Sequence, residues 1–163
     1  MSITFNADEI FEMAEQIERN GAAFYREAAG IAPDGDSKKM LLDMAAMEDG
    51  HQMIFAGMRK ELASGEKESN VYDPDGEAAQ YLQTMAGFHG TEGKISPTEK
   101  LIGQESMEEI LKIALQAEKD SIAFYVGIKD LVPAKSGRDK VEKIIVEEMT
   151  HVSTLGAKLQ SLR

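Results

Sequence analysis

The segment Leu41-Leu42-Asp43-Met44-Ala45-Ala46-Met47-Glu48-Asp49-Gly50-His51-Gln52-Met53-Ile54-Phe55 decides the fold, because its apolar side chains trace a seam. Leu41, Met44, Glu48, His51, Phe55, Met58 and Leu62 alternate spacings of three and four, which keeps them on one face of a helix. One hundred residues further on, Val141, Ile144, Glu148, His151, Leu155, Lys158 and Leu162 repeat the seam. Both copies place Glu-x-x-His in the middle of the stripe.

The repeat extends upstream in the same register. Asn6-Ala7-Asp8-Glu9-Ile10 aligns with Ser106-Met107-Glu108-Glu109-Ile110, and Ala14, Gln16, Glu18, Ala23, Phe24 and Tyr25 recur as Ala114, Gln116, Glu118, Ala123, Phe124 and Tyr125. A period this long indicates two related halves rather than a solenoid. Each half reads as two helices. Asn6 and Ser106 are good N-caps, and Glu9 and Glu109 complete capping boxes. The first helix of each half ends before Pro33 or Pro133, since the residue before proline avoids helical geometry. Asp34-Gly35-Asp36-Ser37 and Ala134-Lys135-Ser136-Gly137 supply short turns, so the paired helices are antiparallel neighbours. The pattern predicts helices near 7–30, 38–63, 107–131 and 138–161. Two αα-hairpins, 6–63 and 106–162, flank a connector over 64–105 punctuated by Gly65, Pro74, Gly76, Gly87, Gly90, Gly93, Pro97 and Gly103. Tyr81, Leu82, Met85 and Phe88 predict a short helix near 76–88 inside it. The expected fold is all-α, a single four-helix bundle over 1–163 with one long crossover.

Composition narrows the function. With 163 residues the chain is one domain, and 18 Lys+Arg against 29 Asp+Glu give a net charge of -11. That acid excess argues against nucleic-acid and anionic-membrane surfaces, which need clustered cations. No apolar run approaches the roughly 18 residues of a membrane span, and the first nine residues lack the basic and apolar regions of a signal peptide. The expected location is the cytoplasm. With zero Cys there are no disulfides, thiolate zinc sites or iron–sulfur centres. Gly93-Lys94 is no phosphate loop, because Phe88 stands where its first glycine belongs and Ile95 follows the lysine.

The seams carry the chemistry. Glu18 lies seven residues from both Phe11 and Tyr25, and Glu118 seven from both Leu111 and Tyr125. Glu18, Glu48, His51, Glu118, Glu148 and His151 therefore point inward at one depth. A buried unpaired carboxylate costs several kcal/mol or shifts its pKa upward. Two imidazolium ions would neutralise only half of four carboxylates, whereas two divalent ions balance them. One Glu from each of two helices plus Glu-x-x-His from each of the others is the ligand pattern of di-iron and di-manganese bundles. A single Glu-x-x-His on an exposed face would mean little. Two copies on apolar seams favour a dinuclear site over the alternative, a buried polar network that fixes helix register. Oxygen-rich ligands with two imidazoles suit iron or manganese, with zinc able to occupy the same site.

Neighbouring residues divide between packing and function. Tyr25 and Tyr125 read as packing residues that are also placed to hydrogen-bond a ligand or carry an electron. Glu15 and Glu147 flank the cluster and read as solvated charges, Leu115 replacing Glu15 in the second half. His89, in the connector, reads as exposed. The ten Met read mostly as core filler at helical spacing, with Met44, Met47 and Met149 placed to shape the pocket.

At Glu18, Glu48-x-x-His51, Glu118 and Glu148-x-x-His151 the chain resembles the ferritin-like superfamily, most closely the rubrerythrin-type di-iron domain, over 6–63 and 106–162. The resemblance implies a non-haem protein with two iron ions, often dimeric, that handles peroxide, dioxygen or iron itself. Two departures stand out. The rubredoxin-like domain of rubrerythrins holds its iron with four cysteines, so electrons here would come from a separate protein such as rubredoxin. Ser121 stands where the family places an additional Glu that takes part in a redox-dependent ligand switch. Two readings follow: an oxidoreductase reducing peroxide or dioxygen with an external donor, or an iron-binding ferroxidase for uptake or storage. Because each hairpin carries half the ligands, a homodimer with exchanged hairpins would build the same site.

Overall fold

The computed structural model describes residues 6–62, 75–89, 97–132 and 134–162, and its regular elements are all helices. They are α1 (Ala7–Ile31), α2 (Gly35–Glu61), α3 (Glu77–His89), α4 (Met107–Lys129) and α5 (Arg138–Ser161), with 3₁₀ turns at Pro97–Lys100 and Ala134–Ser136. Pro133, the connector over 63–74 and 90–96, the first five residues and the side chain of His89 lie outside the described residues, as do the expectations that fall on them.

Local chemistry sets the ends. The Asn6 side chain accepts from Glu9 N at 2.9 Å while Asn6 N donates to Glu9 Oε2 at 2.9 Å, and Ser106 and Glu109 make the same reciprocal box at α4. α2 starts three residues earlier than predicted because Asp34 is its cap, accepting from Ser37 N at 2.7 Å and Ser37 Oγ at 2.9 Å. α5 starts differently: Gly137 has φ +106°, and a Cβ there would lie 2.9 Å from Met58 Cε. α4 stops at Lys129, as Leu131 N and Val132 N turn back onto Ile128 O.

The core is split in two. One apolar cluster joins Ile10, Phe11 and Ile17 of α1 to Phe55 and Met58 of α2, Phe124 and Ile128 of α4, and Val141 and Ile144 of α5. The other joins Phe24 and Ala28 to Leu41 and Met44, Ile110 and Leu111, and Leu155. Between them every long helix contributes a buried polar residue: Glu18, Glu48 with His51, Glu118, and Glu148 with His151. The order in which each helix meets the clusters sets its direction: α1 and α5 run one way, α2 and α4 the other. α2 therefore ends at the opposite end from where α4 begins, and the connector must travel the length of the bundle. Its described parts mark the route. Leu82 of α3 enters the first cluster, Tyr81 packs on Gly127 of α4, and Leu101 packs against the second cluster.

Three expectations change. Glu15 is buried, held by Arg19 at 3.1 Å, Arg59 at 3.6 Å and Gln52 at 3.2 Å, because these long donors close over it. Leu162 leaves the seam and is exposed, beyond Leu159, which still packs against the second cluster. Met44 lies in the core, but Met47 and Met149 face outward, being off the seam by a single residue each.

Candidate metal centre

Six side chains from four helices converge between the two apolar clusters. Glu18, Glu48, His51 and Glu148 offer ligand atoms all within 4.8 Å of one another, and so do Glu48, Glu118, Glu148 and His151. Glu48 and Glu148 belong to both sets. That sharing follows from the antiparallel geometry, which lays the Glu-x-x-His turn of α2 against that of α5. The His51 and His151 rings face each other with centroids 5.7 Å apart and planes 22° apart.

Both imidazoles aim Nδ1 at the carboxylates. His51 Nδ1 lies 2.9 Å from Glu148 Oε1 and 3.4 Å from Glu18 Oε2. His151 Nδ1 lies 2.9 Å from Glu148 Oε2, 3.3 Å from Glu48 Oε1 and 3.5 Å from Glu118 Oε2. These approaches lack hydrogen-bond direction. Glu18 Oε2, Glu48 Oε1, both Glu148 oxygens and both Nδ1 atoms are buried without a hydrogen-bond partner. Buried polar atoms are ordinarily satisfied, so inward lone pairs from oxygen and nitrogen fit the demand of a pair of divalent cations.

Without a cation, protons balance the layer. Burial and then the Glu48 carboxylate push Glu18 well above the usual carboxylate range; burial does the same to Glu118 despite His151. Burial acts upward on Glu148 too, but the imidazoles of His151 and His51 outweigh it and hold its pKa low. Burial disfavours charge on the histidines, yet the carboxylates around them lift His51 to about 11 and His151 to about 12.

Tyr25 and Tyr125 do more than pack. Each hydroxyl donates across the bundle, Tyr25 to Glu118 Oε1 and Tyr125 to Glu18 Oε1, so each hairpin's tyrosine holds the other hairpin's carboxylate. Burial and the adjoining carboxylates push both phenols up, which keeps them protonated donors.

Sequence reasoning missed two participants. Glu147, read as solvated, is exposed along its length but places Oε2 2.7 Å from His51 Nε2. Its position next to Glu148 on the helix facing α2 was the available signal. Gly21 gives Glu48 its room: a Cβ there would lie 3.2 Å from Glu48 Oε2. A glycine in mid-helix, away from any cap, was the signal. Ser121 occupies the position related to Gly21 by the repeat, and its hydroxyl donates to Ala117 O at 3.0 Å rather than to the cluster. Gly21 and Ser121, with Tyr25 and Pro97, line a cleft of about 20 Å³ that reaches Glu48 and Glu118.

No curated protein sequence matches the chain. Among solved structures, a candidate ferritin-like diiron-carboxylate protein from Thermotoga maritima superposes with a TM-score of 0.73 at 24% identity, over 100% of both chains. At that identity the likeness speaks to the ferritin-like fold. The rubrerythrin family model matches residues 9–159. A match over nearly the whole bundle, spanning every helix that lines the buried carboxylate layer, makes this chain a member of the rubrerythrin family.

Proposed function

We propose that the chain is a di-iron oxidoreductase that reduces peroxide or dioxygen with electrons from a separate protein. Glu18, Glu48, His51 and Glu148 would hold one ion, and Glu48, Glu118, Glu148 and His151 the other. A pair of iron ions supplies two electrons together, one from each. The observation that carries the reading is the cleft lined by Glu48 and Glu118, whose roughly 20 Å³ suits a molecule the size of water, peroxide or dioxygen.

The chain's residues would orient and supply protons. Reducing hydrogen peroxide to two waters takes two electrons and two protons. Tyr25 lines the cleft and keeps a proton at Oη under the influence of burial and Glu118. Phe24, Gly21 and Ser121 form the walls of the same cleft. The 163 residues contain no Cys, so no cysteine-held iron relay lies among them, and a one-electron carrier such as rubredoxin would act twice per turnover.

The test is anaerobic loading with Fe(II), then peroxide with and without reduced rubredoxin. Repeated turnover that depends on the donor is the expected result. Stoichiometric oxidation with many irons retained per chain would overturn the reading in favour of iron uptake or storage.

A further inference from the structure

The internal repeat makes the two halves of the centre comparable residue by residue, and they are not alike. His51 uses both ring nitrogens: Nδ1 faces Glu18 and Glu148, and Nε2 meets Glu147 Oε2 at 2.7 Å. His151 uses one: Nδ1 faces the carboxylates, while Nε2 is buried without a hydrogen-bond partner. The repeat explains the difference. Position 147 in the second half corresponds to position 47 in the first, and there the chain has Met47. A thioether is a weak acceptor.

We propose that the two ion positions are unequal, the His51 position filling first and more tightly because Glu147 is a positioning residue for its imidazole. The proposal rests on the two-metal reading of this layer. A metal-binding histidine must present a neutral ring with its lone pair inward. An outer carboxylate accepting from Nε2–H fixes that tautomer, locks the ring and makes Nδ1 a stronger donor. His151 must carry the same Nε2–H buried and with no acceptor, and its ring is held only from the inner side. Loss of such an outer partner typically weakens metal binding by about 10–100-fold. Glu147 and Met47 are both exposed and neither belongs to an apolar cluster, so exchanging them leaves the clusters intact.

The experiment is an anaerobic titration of the metal-free protein with Co(II), followed by visible absorbance and calorimetry. Wild type should bind two ions in two steps, about tenfold or more apart. Glu147→Ala should weaken the first step by about 10–100-fold and merge it with the second. Glu147→Gln, which keeps an acceptor oxygen without the charge, should restore part of the loss. Met47→Glu should tighten the second step and leave the first unchanged. Two ions binding in one indistinguishable step, or a Glu147→Ala loss absent or confined to the second step, overturns the inequality while the two-ion centre stands. Failure of wild type to bind Co(II) overturns both.

Discussion

Glu48 and Glu148 differ from the other four polar residues of the layer in belonging to both ligand sets, and their substitutions should differ accordingly. Glu48→Ala removes a ligand from each position and should abolish retention of both ions. Glu18→Ala leaves Glu48, Glu118, Glu148 and His151 together and should retain about one ion per chain, as metal analysis after dialysis will show; equal loss in both variants contradicts the sharing. Protons set a second expectation. Cation binding requires neutral imidazoles, but in the metal-free fold His51 and His151 keep their protons up to about 11 and 12, and Glu18 and Glu118 are shifted upward as well. Binding near neutral pH therefore releases protons, so affinity rises with pH. Calorimetry in buffers of different ionisation enthalpy should detect at least two protons released per chain; a buffer-independent enthalpy would contradict the protonated layer. The six inward residues were legible in the sequence because seam spacing alone fixes their face. Glu147 and the Tyr25 and Tyr125 bonds were not, since each depends on how one hairpin meets the other.

The starts of α1 and α4 were legible in the capping boxes at Asn6 and Ser106, whereas α2 begins three residues before its expected start because the Asp34 side chain, further upstream in the turn, makes the cap. α5 begins at Arg138, where the sequence placed it, through a positive φ at Gly137. The short helix of the connector was predicted from four apolar positions, but its docking site was not, because that depends on an absent side chain. Gly127 makes a hollow in α4 that the Tyr81 ring fills: a Cβ there would lie 2.1 Å from Tyr81 Cε1, and the Tyr81 hydroxyl donates to Ala123 O beside it. Gly127→Ala should improve the helix propensity of α4 by about 1 kcal/mol yet displace α3. The expected outcome is faster proteolysis within 64–105 and a lower melting temperature, with no further loss when Tyr81→Ala is added. If Gly127→Ala simply stabilises the protein, α3 does not dock at that hollow.

The molecule as a whole is a bundle whose core is interrupted at mid-height by a charged layer, flanked by two apolar clusters that fix its geometry. A cation bound only in the native state adds stability by mass action, about 2.7 kcal/mol when its concentration is a hundred times Kd. Chelation should therefore lower the melting temperature, and Glu48→Ala should remove most of that difference; a melting curve indifferent to chelator would count against the centre. The direct measurement is a crystal structure of the iron-loaded protein with anomalous scattering recorded at the iron edge. A two-ion centre gives two peaks about 3.5–4 Å apart, one beside Glu18 and His51, the other beside Glu118 and His151, both touching Glu48 and Glu148. An empty layer, a lone peak, or iron bound only at the acidic surface would contradict it.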